Sequence, residues 1–262
     1  MAIAPLSHHN NPLSSQVEKL GPWFHNLHLP DGTQTAPGHF LGDFPHYKWS
    51  QISHYLPRHM EGWRALDIGC NAGYYSFELA KRGAEVTAID IDERYLTQAR
   101  WAADVMELKD KVEFRQATVY DLAHEHQQYD LIWFMGVFYH LRYPLLALDI
   151  IRRCCKGQMV FQTMTVPGDD VFAAKENYDL EQREVMNNPG WPKMAFLEHK
   201  VANDPTNWWA PNHAGVEAML RAAGFVDIDR VAHEIYSCKA SRELPFGTEQ
   251  LDEVVRSRRP DA

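Results

Sequence analysis

The stretch Asp67-Ile-Gly-Cys-Asn-Ala-Gly73, with Asp90 some twenty residues on, has the residue types and spacing to hold a nucleoside. An apolar run ends at Asp67, a turn bounded by Gly69 and Gly73 follows, and Phe77-Glu-Leu-Ala-Lys81 resumes with a helical pattern. A strand that turns through glycines into a helix brings bare backbone N–H groups close to a ligand. Ala84-Glu-Val-Thr-Ala-Ile-Asp90 reads as a second strand ending in a carboxylate, which is placed to take a ribose diol. The glycine spacing G-x-x-x-G departs from the G-x-G-x-x-G of dinucleotide sites, where a third glycine lets helix and pyrophosphate approach. It suits a ligand without phosphates, such as adenosine joined to an amino acid. Asn71 stands where a middle glycine is common, and asparagine tolerates left-handed backbone better than most residues.

The elements that must position these residues alternate along the chain. Strands are predicted at 64–68, 85–90, 111–116, 130–135 and 158–162, with helices at 74–82, 93–106 and 144–156 between them. Pro144 opens the last of these helices, and Gly157 is expected just past its end. Such alternation implies an α/β fold, a Rossmann-like doubly wound sheet. The pattern breaks at Pro167, and residues 168–212 form an insertion after strand five, without clear period and rich in Asn, Asp, Glu and Trp. A helix follows at 212–223, ending at Gly224, then a strand at 225–228 and one more at 230–237, making the sheet mostly parallel with an antiparallel last strand. Residues 1–60 carry short helical patterns at 16–20 and 47–56 and read as a lid or brace; 61–262 form the main domain, with 168–212 capping its substrate.

At 262 residues, 45% hydrophobic and 12% aromatic with eight tryptophans, the chain has ample material for one core. Its formal charge of −9 (35 acids, 26 bases) argues against a large nucleic-acid footprint, though an acidic protein can carry a local basic face. Cys70, Cys154, Cys155 and Cys238 show neither C-x-x-C pairing nor zinc spacing and read as free thiols of a reducing compartment. The first ten residues lack a secretory pattern and no long apolar run exists, so a soluble, cytoplasmic protein is expected. His8-His9 and His124-Glu-His126 are the closest histidine clusters and read as surface residues rather than metal ligands; the basic tail at 256–260 reads as frayed.

The Asp67–Gly73 turn with Asp90 resembles the first motif of class I S-adenosylmethionine-dependent methyltransferases and its acidic partner. That resemblance implies S-adenosyl-L-methionine as cofactor, with the Gly69–Gly73 loop and Asn71 under its methionine moiety. Asp67 would lie near the ammonium group, Asp90 at the ribose, Ile91-Asp92 and Thr118-Val119 around the adenine, and Met135-Gly136 along the wall. Met135-Gly-Val-Phe-Tyr-His140 further resembles a segment of the tRNA wobble-uridine family, whose members methylate or carboxymethylate the 5-hydroxyl of uridine-34. Lys48-Trp49 resembles a pair preceding the first motif there and joins the expected cofactor site; the resemblance spans about 40–165. Where carboxymethylating members have a lysine for the modified cofactor's carboxylate, the best-matching stretch here has Pro37, which implies the ordinary cofactor. Transfer to an alcohol needs an aligned nucleophile and removal of its proton. His140 is the candidate base, with Tyr139 positioning the acceptor; a loop-orienting role for His140 stands beside it. His199, Glu198 and His213 are second candidates with structural readings, and Trp208-Trp209 either stacks on the acceptor or packs the insertion. Tyr74 and Tyr75 either cover the cofactor or pack beneath the first helix. The leading expectation is methyl transfer to an oxygen, or less favourably a nitrogen, of a small hydroxylated acceptor. A tRNA wobble uridine is the alternative, and a non-catalytic S-adenosylmethionine-binding partner subunit is the third.

Overall fold

Seven strands collect the apolar runs of the chain into one sheet, ordered β3-β2-β1-β4-β5-β9-β8. The computed structural model describes residues 12–245, 247 and 250–256, so His8-His9 and the tail beyond 256 lie outside the described residues. The strands are β1 (Arg64–Ile68), β2 (Glu85–Asp90), β3 (Val112–Gln116), β4 (Tyr129–Met135), β5 (Cys155–Gln162), β8 (Phe225–Ala232) and β9 (Ile235–Ala240). The first five pair in parallel, and β9 runs antiparallel to both β5 and β8. Helices α3 (Tyr74–Lys81), α4 (Glu93–Val105) and α5 (Pro144–Cys154) fill the crossovers. A parallel sheet is covered on both faces, and two apolar clusters lie across it. One is built around Trp49, Phe77, Leu96 and Trp133, the other around Ile132, Phe134, Leu148 and Tyr236.

The order places β1 between β2 and β4, so the connections leave β1 and β4 in opposite directions. A crevice opens at that switch point, outside the carboxyl ends of the strands, where open α/β sheets bind their ligands. The loops after β1 (Gly69–Gly73) and after β4 (Gly136–Tyr143) are its two lips.

The segment expected as a lid or brace supplies α1 (Pro12–Leu20) and α2 (Phe44–Ile52). Val17, Trp23, Leu27, Trp49 and Ile52 join the first core cluster. Gln98 of α4, fully buried, ties that segment down by donating to the carbonyls of Leu20 (2.7 Å) and Pro22 (3.0 Å).

Three expectations need correction. Gly157 caps no helix: α5 runs directly into β5, and Gly157 lies inside the strand, where a Cβ would stand 2.3 Å from the Asp130 carbonyl oxygen. It is glycine because β4 and β5 approach closely there. The last strand begins at Ile235 rather than 230, because β8 continues through two register shifts to Ala232. The insertion holds a small antiparallel sheet, β6 (Met194–Phe196) with β7 (Trp209–Pro211). Beyond it, α6 (His213–Ala222) starts where the Asn212 side chain accepts from Gly215 N at 2.9 Å, and Gly224 follows its end at φ 94°, as a helix exit requires. A further helix, α7, spans Gln250–Arg256.

Candidate functional site

A cavity of about 600 Å³ occupies the crevice. Gly69, Asn71, Asp90, Ile91, Thr118, Val119 and His140 line it, and Gly136 rather than Met135 marks the end of β4 in its wall. Met135 itself is buried in the core beneath.

The loop after β1 works differently from its sequence expectation. Its N–H groups are not bare. Gly69 N and Cys70 N donate to the Ile89 carbonyl, Asn71 N to Asp90 Oδ2 (2.9 Å), Ala72 N to its neighbour Asn71 Oδ1 (2.8 Å) and Gly73 N to the Cys70 carbonyl. With each donor satisfied inside the protein, the loop offers shape rather than an anion cradle, which agrees with a ligand lacking phosphates. Gly69 has φ 74°, and a Cβ on it would stand 2.3 Å from Val137 Cγ2, so glycine is what lets the two lips close on each other. Asn71, at φ 51°, takes the left-handed turn between them.

Asp90 ends β2 and lines the cavity. One carboxylate oxygen accepts from Asn71 N and the other from Asp92 N (2.9 Å), and each keeps a further lone pair for a diol. Burial pushes its pKa up against the pull of those backbone donors. Ile91 beside it is apolar and 68% exposed, a face that an adenine ring would cover. Thr118 is pinned by Asp121, whose carboxylate accepts from both its N and its Oγ1 at 2.7 Å. A nucleoside fits this end of the cavity: carboxylate at the ribose, apolar flanks for the base.

Asp67 departs from its expected place. It lies beneath the loop, 1% exposed and outside the cavity lining, and accepts from Ser76 Oγ at 2.6 Å and from the Ser76 backbone at the start of α3. Burial raises its pKa to about 7. Its task here is to join β1 to α3. Trp49 is also corrected: it is buried against Trp133 (5.5 Å between rings) with the Arg82 guanidinium 4.7 Å over its face, and it borders the core rather than the cofactor. Tyr74 and Tyr75 take the packing role, buried against His25 and each other.

Lys48 does not line the cavity. Its Nζ donates to Gln162 Oε1 (3.4 Å) at the end of β5, Gln162 Nε2 donates to Glu234 Oε2 (3.3 Å), and Glu234 Oε1 accepts from Thr165 N (2.7 Å) and Oγ1 (3.0 Å). Burial lowers the Lys48 pKa while Glu234 opposes that shift. A side chain on Gly136 would lie 3.8 Å from Gln162 Oε1 and 3.9 Å from the Tyr139 hydroxyl. The Tyr139 hydroxyl has no hydrogen-bond partner among the described residues, and burial pushes its pKa up to about 12, so it stays a neutral donor. Lys48, Gln162, Glu234 and the Tyr139 hydroxyl thus gather behind Gly136 without lining the cavity themselves.

His140 lines the cavity, and burial lowers its pKa below the ordinary histidine value, which favours the neutral ring. Its Nδ1 lies 2.9 Å from Thr206 Oγ1, which belongs to the insertion. The insertion is stitched to the loop after β4 by Trp208 N donating to the Tyr139 carbonyl (2.8 Å) and Trp209 Nε1 donating to the Leu141 carbonyl (3.0 Å). Neither indole lines the cavity; Trp208 packs under the Arg142 guanidinium at 4.6 Å and beside Phe196. His199 and Glu198 are exposed and away from the cavity. His213 is buried at the start of α6, bonded to the Tyr236 hydroxyl and 3.6 Å from Asp169, so it anchors the insertion rather than meeting an acceptor. Phe24, Tyr95, Arg142, Asp204 and Thr206 also line the cavity, and no sequence motif marks them. Among the described residues no group of three or more His, Cys, Asp or Glu could hold a metal, and no helix is long and apolar enough to cross a membrane.

Sheet order, antiparallel β9 and the lipped crevice together define the class I methyltransferase fold. Residues 66–161 match the family model described as a methyltransferase domain. Over 222 residues the chain is 29% identical to a tRNA U34 carboxymethyltransferase of Pseudomonas paraeruginosa, covering 81% of this chain and 61% of that protein. It is 28% identical over 211 residues to the protein of the same name from Idiomarina loihiensis, covering 77% of this chain and 57% of that one. The chain thus spans about three fifths of the length of these relatives. Among solved structures, the N-terminal domain of EvdMO1 with SAH bound superposes with a TM-score of 0.57 at 20% identity, covering 87% of this chain and 93% of that one. Magnesium protoporphyrin IX methyltransferase from Synechocystis, also with SAH, gives 0.50 at 16% identity over 76% and 82% of the two chains.

Proposed function

We propose that this protein transfers a methyl group from S-adenosyl-L-methionine to an oxygen of a hydroxylated acceptor. The observation that carries the reading is one continuous cavity lined by Asp90 together with Gly136 and His140. Bound S-adenosylmethionine supplies an electrophilic methyl on a positive sulfur, which leaves as a neutral thioether. Asp90 holds the ribose, and Ile91, Thr118 and Val119 flank the base. The Gly69–Val137 contact and Gly136 form the narrow passage toward the acceptor. Tyr139 donates its free hydroxyl to orient the acceptor oxygen, and the neutral His140 takes the acceptor's proton as the oxygen–methyl bond forms. The insertion bounds the reacting end through Asp204 and Thr206.

The Lys48–Gln162–Glu234 set favours the unmodified donor. A carboxymethyl group would bring a second negative charge near Glu234, which Lys48 already faces.

For the acceptor, the names of the relatives favour a tRNA wobble uridine, whereas the net charge of −9 and the insertion against His140 favour a small free molecule. Incubation with methyl-labelled S-adenosylmethionine and an extract of cells lacking the protein separates the two. Label in the RNA fraction supports the wobble-uridine acceptor, and label in the small-molecule fraction supports the free acceptor. Label in neither, with donor binding intact, removes the proposed transfer.

A further inference from the structure

Residues 204–206 present a carboxylate and a hydroxyl to the one histidine that lines the cavity. Asp204 Oδ1 accepts from Thr206 Oγ1 at 2.6 Å and from Thr206 N at 2.7 Å. Because the threonine proton is committed to the carboxylate, Thr206 Oγ1 meets His140 Nδ1, at 2.9 Å, with a lone pair. The ring nitrogen must then be the donor, which leaves Nε2 unprotonated. The turn that carries this pair is itself defined. Ala202 and Asn203 have φ of 53° and 63°, a primed-type reversal closed by Asp204 N donating to the Val201 carbonyl (3.1 Å), and Asn207 Nδ2 donates to that same carbonyl at 2.9 Å. Left-handed backbone at an alanine is costly and persists where surrounding structure holds it.

The geometry points to Thr206 and Asp204 as positioning residues for His140: the insertion supplies a hydroxyl-relayed carboxylate that fixes the Nδ1–H tautomer and turns Nε2 toward the acceptor. This rests on His140 being the acceptor base, as proposed above. The base is then complete only when the insertion is seated on the loop after β4. When Nε2 takes the acceptor's proton, the positive ring keeps its Nδ1–H bond to Thr206, and Asp204, with its nearer oxygen 3.9 Å from Nδ1, balances the new charge. The other charged or titratable groups around this ring are Tyr139 and Arg142 on its own loop and Asp90, Asp92, Tyr95 and Tyr120 across the cavity. Asp204 is the charge that pulls the His140 pKa up against burial.

The test reads the ring directly and needs no acceptor. Full-length protein labelled with 15N-histidine and saturated with S-adenosylhomocysteine is studied by long-range proton–nitrogen NMR, with His140 assigned from H140Q. The neutral ring should be the Nδ1–H tautomer in the wild type and in T206S. It should shift toward Nε2–H, the form free histidine favours in water, in T206V, and its pKa should fall in D204N. A wild-type Nε2–H ring, or a tautomer unchanged in T206V, overturns the relay. Thr206 is exposed, so these variants should fold, and thermal melts check that they do. Failure of S-adenosylhomocysteine to bind would remove the donor reading instead, while the ring spectrum of the free protein still decides the relay.

Discussion

Asp67 and Asp90 are both strand-end carboxylates, and their surroundings give them opposite tasks. Asp90 borders the cavity with lone pairs to spare; Asp67 is sealed beneath the loop, with a pKa near 7 because burial outweighs the Ser76 hydrogen bonds. Stability follows from that. The folded protein holds a proton on Asp67 that the unfolded chain, at the usual carboxylate pKa, has already released. The native state therefore binds more protons between about pH 4 and 7, and stability must fall as pH rises through that window and level off above it. Asp67→Asn removes the buried charge while leaving Oδ1 to accept from Ser76. The variant should match the wild type near pH 4 and exceed it at pH 8 by an amount on the order of a few kcal/mol, read from melting temperatures across that range. Equal pH dependence in the two proteins would remove the buried, protonated Asp67. At this scale the sequence was only half legible. It identified two carboxylates, but which one meets ligand depends on α3 closing over Asp67, a tertiary fact.

Elements built from strong local signals appear where the pattern puts them. β2 matches its predicted span and β1 likewise, because an apolar run punctuated by Asp and Gly has one reading. β6 and β7, three residues each, carry no period, and their pairing depends on the loop after β4 rather than on their own residues. Trp49 and its neighbour part for a related reason: Lys48 reaches Gln162 at the end of β5, but successive residues of α2 face different ways, and the indole turns into the core. The loop after β1 is where element geometry decides ligand affinity. In Gly69→Ala the new methyl meets Val137 Cγ2, and Val137 can yield only by turning into the cavity it lines. S-adenosylmethionine should bind at least about tenfold more weakly, in line with overpacking costs of ~1–3 kcal/mol. Val137→Ala in the same chain should restore most of that loss. Calorimetry on the single and double variants checks it, and an unaffected Gly69→Ala would mean the lips do not meet as described.

Across the whole molecule, one sheet edge gathers residues separated by most of the chain: Phe24 and Lys48 ahead of the first strand, Asp90 and His140 after β2 and β4, Thr206 from the insertion and Glu234 from the β8–β9 turn. Parallel strands make this possible because all their carboxyl ends share one side. The donor half was readable because consecutive loops of a regular βα repeat build it. The acceptor half was not, since the insertion and the N-terminal segment bring their residues in through packing that no spacing encodes. The central claim is that the crevice between Asp90 and Gly136 is an S-adenosylmethionine site, and isothermal titration of the wild type and Asp90→Ala tests it most directly. Asp90 holds both the loop, through Asn71 N, and the α4 entry, through Asp92 N. The wild type should bind one equivalent, and Asp90→Ala should bind at least about tenfold more weakly, as loss of charged hydrogen bonds implies. No heat with the folded wild-type protein, or equal affinity in the two, would contradict the account.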